Sequence, residues 1–265
     1  MTLILYMCSN HKPMERAKAI ATIGSPSNKS GLIQQLQEEV FALQRFRKPK
    51  SEVSDLGLGP IARAFPESTF PIGAVHEFIS YQTPNAAATS GFMIALAGRL
   101  MQQHGSCLWI STRRALYPPS LKQYGIDAAR VICIDLAKQK DVLWAVEEAL
   151  KCQSLSLVIG ELSEISFNDS RRLQLAVEQS NVTGLLHRYN PRSENTLACA
   201  ARWKIASLAS NHPTLPGVGF SRWHVELSKV RNGRPSAWDI EWSKQGFQHL
   251  SPQEVATEIQ TRKTA

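Results

Sequence analysis

A chain of 265 residues can bury a full hydrophobic core. With 43% hydrophobic residues and no run of about 18 apolar residues, it reads as a soluble globular protein with no membrane-spanning segment. Thirty basic against 22 acidic side chains give a net charge of +8, which favours an anionic partner, nucleic acid or an acidic protein surface, and is equally what a merely basic soluble protein carries.

Met1 to Cys8 is apolar but has no basic flank and is too short for a secretory core, so a cytoplasmic protein is expected. The cysteines, Cys8, Cys107, Cys133, Cys152 and Cys199, are scattered and never spaced C-x-x-C, as expected of reduced core residues. Residues 1–30 mix basic residues with Gly24, Ser25, Pro26 and Ser27 and read as a disordered N-terminal extension. Over residues 31–50, Leu32, Leu36, Val40, Leu43 and Phe46 fall on one face of a helix that ends in Arg45, Arg47 and Lys48 and is stopped by Pro49. Asp55 to Phe70 carries Leu56, Leu58, Ile61 and Phe65 between glycines and prolines, so it is expected to pack on the core as an ordered linker.

From Phe70 the chain runs through an apolar stretch, Ala74 to Ile79, a polar loop, Ser80 to Ser90, and a helix-like segment, Gly91 to Leu100. This is the strand, loop, helix layout of a phosphate-binding unit. A working P-loop needs glycines so that backbone amides reach the phosphates, and a lysine and a hydroxyl for the terminal phosphates and Mg²⁺. The loop here holds Ser80, Thr83, Asn85, Thr89 and Ser90, with no glycine and no lysine, and reads as a degenerate nucleotide loop with no cofactor to hold.

Strand-like and helix-like segments then alternate: Cys107 to Ser111 with Pro119 to Tyr124, Val131 to Asp135 with Lys140 to Cys152, and Leu155 to Gly160 with Asn168 to Ser180. Such alternation predicts an α/β fold, a mostly parallel sheet with flanking helices. Trp144 lies toward the polar side of its helix, as a partner contact or partly buried against a neighbour. Val182 to Leu186 and Arg202 to Leu208 follow, and Arg222 to Arg231 and Ala237 to Trp242 form a C-terminal antiparallel hairpin around Asn232-Gly233. The core domain is thus expected over 51–245, with a C-terminal tail at 246–265.

His76-Glu77 begins like a zinc motif, but Ser80 stands where the second histidine is needed, and no Cys/His cluster has metal spacing. Asp135 and Glu161 end apolar strands where an Mg²⁺-orienting acid would sit, but without a lysine and glycine loop neither has a ligand to serve, and helix-capping or surface carboxylates are the better reading.

The residues FPIGAVHEF, CLWISTRRALYPPSLKQYGID, DVLWAVEEAL, LVIGEL, SRRLQLAVEQ, and RW with RWHVEL, over about 55–242, resemble the RecA core fold and, more closely, the ImuA family of RecA-like accessory proteins of SOS-inducible mutagenesis. The resemblance implies that Arg113 and Arg114 replace the acid that activates water in RecA, and an arginine cannot serve as a base at neutral pH. It also places Glu161 at a degenerate Walker B position and His187-Arg188-Tyr189 where a phosphate-sensing glutamine would stand. The two DNA-binding loops shrink to about Leu162 to Phe167 and Arg188 to Ala200.

What the resemblance implies is a non-enzymatic adaptor in translesion synthesis. Its partners would be ImuB, an inactive Y-family polymerase relative, an error-prone replicative-type polymerase, and RecA. The contact candidates are the 31–46 helix or Arg113, Arg114, Arg171 and Arg172, for which ordinary solvated helix-face charges are the bland alternative. A second reading is direct single-stranded DNA binding through Arg188, Tyr189 and Arg192, with the tyrosine stacking on a base. A third is a SulA-like cell-division inhibitor, and a fourth a residual ATPase.

Overall fold

All six residues of Val75–Ser80 are buried, as a strand inside a parallel sheet requires. In the computed structural model, which describes residues 56–101, 105–113, 116–210 and 219–250, this strand is β1. It is followed by α1 (Thr83–Met101), β2 (Cys107–Ser111), β3 (Val131–Asp135), α2 (Gln139–Leu150), β4 (Leu157–Leu162), α3 (Phe167–Ser180), β5 (Thr183–Tyr189), β6 (Ala201–Leu208), β7 (Arg222–Val230), β8 (Ser236–Ser243) and β9 (Gly246–His249). The expected extension at 1–30, the helix at 31–46 and the chain beyond 250 lie outside the described residues.

The strands form one nine-stranded sheet in the order β3-β2-β4-β5-β1-β6-β7-β8-β9. Pairing is parallel from β3 through β6 and antiparallel from β6 to β9. The predicted class, α/β with a mostly parallel sheet and antiparallel C-terminal strands, is the one observed. The tail begins later than predicted, because Gly246–His249 pairs with β8 and buries Phe247. A strand of four residues beside a two-residue turn is too short to register as a periodic pattern.

The two faces of the sheet are filled differently. Val75, Leu108, Ile110, Val158 and Leu186 pack with α2 and α3 residues, among them Val146, Leu150, Leu173 and Val177, into one aliphatic core. Period-2 alternation sends Phe78 and its neighbours to the other face. There the Phe78 ring stacks on fully buried Trp203 of β6, centroids 5.7 Å apart, and Phe92 of α1 meets Trp203, Trp223 and Phe247 at 5.8, 5.8 and 5.5 Å. The linker predicted to pack does so: Leu56, Leu58, Ile61, Phe65 and Phe70 are buried, and Phe70 stacks on the His76 ring at 4.3 Å.

Three local expectations change. The helix after β1 starts at Thr83, not Gly91, so only Tyr81 and Gln82 separate strand from helix. Pro84 is tolerated in a first turn because the N–H it lacks has no intrahelical partner there. Ala86 to Ala88 are the best helix formers, and Thr89 turns its hydroxyl back onto the Asn85 carbonyl at 2.7 Å. A run of small polar residues that reads as loop is therefore helix. Second, Pro118–Tyr124 is a 3₁₀ segment closed by Gly125 at φ 74°. Third, the expectation that the cysteines are core residues holds for Cys107, Cys152 and Cys199 but not for Cys133, exposed on edge strand β3; Cys8 lies outside the described residues. No helix among the described residues is long and apolar enough to cross a membrane.

Gly98 sets how closely α1 approaches the 3₁₀ segment: a Cβ there would lie 2.4 Å from the Tyr124 carbonyl oxygen. Backbone cannot yield as a side chain tip can, so Gly98→Ala is expected to destabilise the fold by about 1–3 kcal/mol despite better helix propensity, read as a lower denaturant midpoint. A normal midpoint would mean that the two elements are free to separate.

Candidate functional site

At the C-terminal ends of parallel strands a crevice opens wherever neighbouring connections diverge to opposite faces. Here a cavity of about 740 Å³ lies at the ends of β1, β2, β4 and β5, between the first turns of α1 and the 3₁₀ segment. The position is that of a ligand site in this architecture.

Its floor is polar. Ser80 Oγ at the end of β1 and His187 Nε2 on β5 share a hydrogen bond of 2.7 Å, and burial pulls the His187 pKa down to about 4, so the ring is neutral near pH 7. Glu161, next to last in β4, accepts a hydrogen bond from Trp109 Nε1 at 2.9 Å. Burial holds its carboxyl above the usual carboxylate range, with the Trp109 bond and the Arg113 charge acting the other way and Asp135 reinforcing the rise. Gln139 at the start of α2 donates to Thr112 Oγ1 at 3.3 Å and accepts from the Ser163 amide at 2.9 Å, tying the β2 and β4 ends together. Tyr189 shares a 3.3 Å contact with the Thr83 hydroxyl, and the Arg113 guanidinium lies over its ring at 6.0 Å.

The residues of the predicted nucleotide loop are not a loop. Ser80 ends the strand, and Thr83, Asn85, Thr89 and Ser90 lie within α1; Thr83 and Ser90 line the cavity, while Thr89 is buried. A two-residue turn cannot wrap a phosphate chain, Pro84 offers no amide, and Glu161 faces the space where anionic oxygens would sit. This donor set does not fit a triphosphate.

The cationic candidates separate. Arg113 is exposed at the crevice rim, and Arg114 lies outside the described residues. Arg171 and Arg172 are exposed on α3, which packs on the other face of the sheet; Arg172 pairs with Glu147 of α2 and, at 3.8 Å, with Asp169. Arg192 is exposed and its backbone amide donates to Glu164 at 2.7 Å. Arg188, expected on a DNA-contacting segment, is completely buried and cannot reach a phosphate. One residue of register decides this: His187 and Tyr189 point to the crevice face and Arg188 to the opposite one.

Arg188 belongs to a charge cluster that the sequence reading missed. On β1, Glu77 is fully buried; Arg188 Nη1 donates to its Oε1 and Arg202 Nε to its Oε2, both at 2.7 Å. Arg188 Nη2 also reaches the Ser193 carbonyl at 3.1 Å and Glu164 at 3.4 Å, and Arg202 donates to the carbonyls of Glu194 and Asn195. Outside it, Glu194 accepts from Tyr81 at 2.8 Å and pairs with Lys204 at 2.7 Å. The available signal was a glutamate in an otherwise apolar strand, since a fully buried charge is rare without a partner.

The family model described as Cell division inhibitor SulA matches residues 73–184. Protein ImuA of Caulobacter vibrioides, in strains NA1000 / CB15N and ATCC 19089, is 31% identical over 207 residues, which is 73% of this chain and 85% of that protein. The chain belongs to the ImuA family. Cell division inhibitor SulA of Yersinia pestis (strain Pestoides F) is 28% identical over 116 residues, 44% of this chain and 68% of that protein. The SulA match runs from the turn before β1 into the start of β5, so β6 to β9 fall outside it, whereas a match of 207 residues requires more than the parallel strands.

Removing one member of a buried ion pair leaves the other charge uncompensated, so Arg188→Met or Glu77→Ala is expected to cost about 3–5 kcal/mol in chemical unfolding, against about 0–1 kcal/mol for Arg172→Ala on the surface. Equal effects would remove the distinction between the two arginines. The pKa of each of His76 and His187 is lowered to about 4 by burial. Both are neutral when folded above that value and protonate near 6.5 when unfolded. Stability is therefore full above about pH 6.5 and falls toward pH 4 by on the order of 1.4 kcal/mol per pH unit for each histidine. Urea midpoints across that window should drop, and the slope should lessen in His187→Gln; a flat profile would contradict the neutral assignment.

Proposed function

We propose that the chain is a non-catalytic, RecA-like adaptor of SOS-induced translesion synthesis, acting in the cytoplasm with ImuB, an error-prone replicative-type polymerase, and RecA. Membership of the ImuA family supports the SOS mutagenesis setting. The observation that carries the non-catalytic part is the two-residue turn from β1 into α1, with proline in the first helical turn and a carboxylate facing the space beyond it. A parallel sheet with crossover helices and β1 between β5 and β6 is consistent with a RecA-like core. In this reading Arg113 at the crevice rim, and Arg171 and Arg172 on α3, are surface contacts for protein partners rather than parts of a reaction centre, and their exposure suits that role.

A second reading, cell-division inhibition, is favoured by the SulA match over residues 73–184. Against direct DNA binding stand the burial of Arg188 and the engagement of Tyr189 by Thr83 and Arg113, which leave Arg192 as the one exposed cation of that trio.

The test is pull-down of the full chain with ImuB and with RecA, each separately, alongside calorimetry with Mg-ATP. Retention of at least one partner without saturable nucleotide heat is the expected result. Saturable Mg-ATP binding, or retention of neither partner together with filamentation of cells on overexpression, would overturn it in favour of an ATPase or a division inhibitor.

A further inference from the structure

Glu77 and Glu161 are both drawn away from water, and they are compensated differently. Glu77 has a guanidinium on each oxygen. Glu161 accepts one hydrogen bond, from an indole N–H, and makes no ion pair among the described residues. An ionised carboxylate offers about four acceptor sites, and withdrawing it from water without a cation is costly. The cation that acts on it from nearby, Arg113, is held over the Tyr189 ring at 6.0 Å instead of on the carboxylate. Asp135, at the end of β3, adds a second negative charge that acts on Glu161. Among the described residues, the floor of the 740 Å³ cavity thus presents unsatisfied acceptor capacity, and the cation that lines the cavity, Arg113, sits over Tyr189 and not on Glu161.

The walls narrow the ligand further. One side is the small-residue face of α1, Ala86, Ala87 and Gly91; the other carries Trp109, Tyr117 and Tyr124. Flat apolar and aromatic walls around a single carboxylate suit a group that is planar, cationic and rich in N–H. An ammonium would meet the charge but, being compact and strongly hydrated, would use neither wall. A guanidinium forks onto a carboxylate and stacks on rings, as the chain's own arginines do at Glu77 and at Tyr189.

We propose that the crevice is a binding site for a guanidinium group, seated with its N–H edge on Glu161 and its face against the aromatic wall. The cavity is several times the volume of that head, so the group arrives on a larger body, either a free arginine-like molecule or the arginine side chain of another protein. This goes beyond the adaptor reading and stands apart from it, since partner pull-down and ligand binding are read separately.

Calorimetry on the full chain at neutral pH decides it, with N-acetyl-arginine amide, its lysine counterpart, a capped pentapeptide holding one arginine among alanines, inorganic phosphate and Mg-ATP as probes. The arginine amide is expected to bind saturably, at least about tenfold more tightly than the lysine amide. Glu161→Gln, which retains an acceptor for Trp109, should weaken it by about tenfold or more with the melting temperature unchanged. Tyr117→Ala, at the exposed rim, provides a second variant that leaves the core intact and should weaken binding by about threefold to fivefold. A pentapeptide bound about tenfold more tightly than the amide assigns the group to a partner chain, and equal affinity assigns it to a small molecule. No saturable heat, equal binding of lysine, affinity unchanged in Glu161→Gln or Tyr117→Ala, or displacement by phosphate or Mg-ATP would each overturn the proposal.

Discussion

The pairing of Glu77 with Arg188 and Arg202 is the constraint on which the rest of this structure turns. It crosses three adjacent strands, β5, β1 and β6, at the middle of the sheet. Charges at such a position are tolerable only because every one is met, and losing any would leave another stranded in apolar surroundings. The cluster also orders the segment between β5 and β6, which has neither helix nor strand to satisfy its backbone. The carbonyls of Ser193, Glu194 and Asn195 are taken up by the two arginines, and the Arg192 amide by Glu164. With Arg188 fixed on one face of β5, its neighbours His187 and Tyr189 are fixed on the other, where they form part of the crevice. The hidden ion cluster and the open cavity are two sides of one strand.

The strands were the most legible part of the chain. β2 and β3 fall on the residues that the apolar runs marked, and the Asn232-Gly233 turn does join β7 to β8. Long amphipathic helices were legible for the same reason, since α2 shows one aliphatic face and one charged face. The stretch Thr83 to Ser90 was not, because composition that suits a loop also suits a helix once a proline sits in the first turn and alanines follow. The fate of individual arginines was not legible either. Arg171, Arg172 and Arg188 are chemically identical in the sequence, and only pairing register and the distant Glu77 decide that one of them is buried. Glu161 was noticed for its place at a strand end, but that it has an indole partner and a cavity in front of it depends on β2 lying beside β4.

The antiparallel strands are more than an addition at one edge. Trp203, Trp223 and Phe247, from β6, β7 and β9, close around Phe92 of α1, so the helix beside the crevice packs as much on the C-terminal half as on the parallel half. Residues 73–184, the part in common with the SulA family, would by themselves leave that ring and much of α1 facing water. In this chain the region shared with SulA and the region beyond it make one core.

The contact at Gly98 bears on the crevice as well as on stability. Helix α1 is pressed against the backbone of Tyr124 there, and two turns earlier Gly91 lies 3.3 Å, measured from where its Cβ would be, from the Tyr124 hydroxyl. Both spacings are set by a hydrogen atom in place of a side chain, and the tyrosine between them is one wall of the cavity. A side chain at either glycine would therefore have to displace Tyr124, and with it one wall of the cavity.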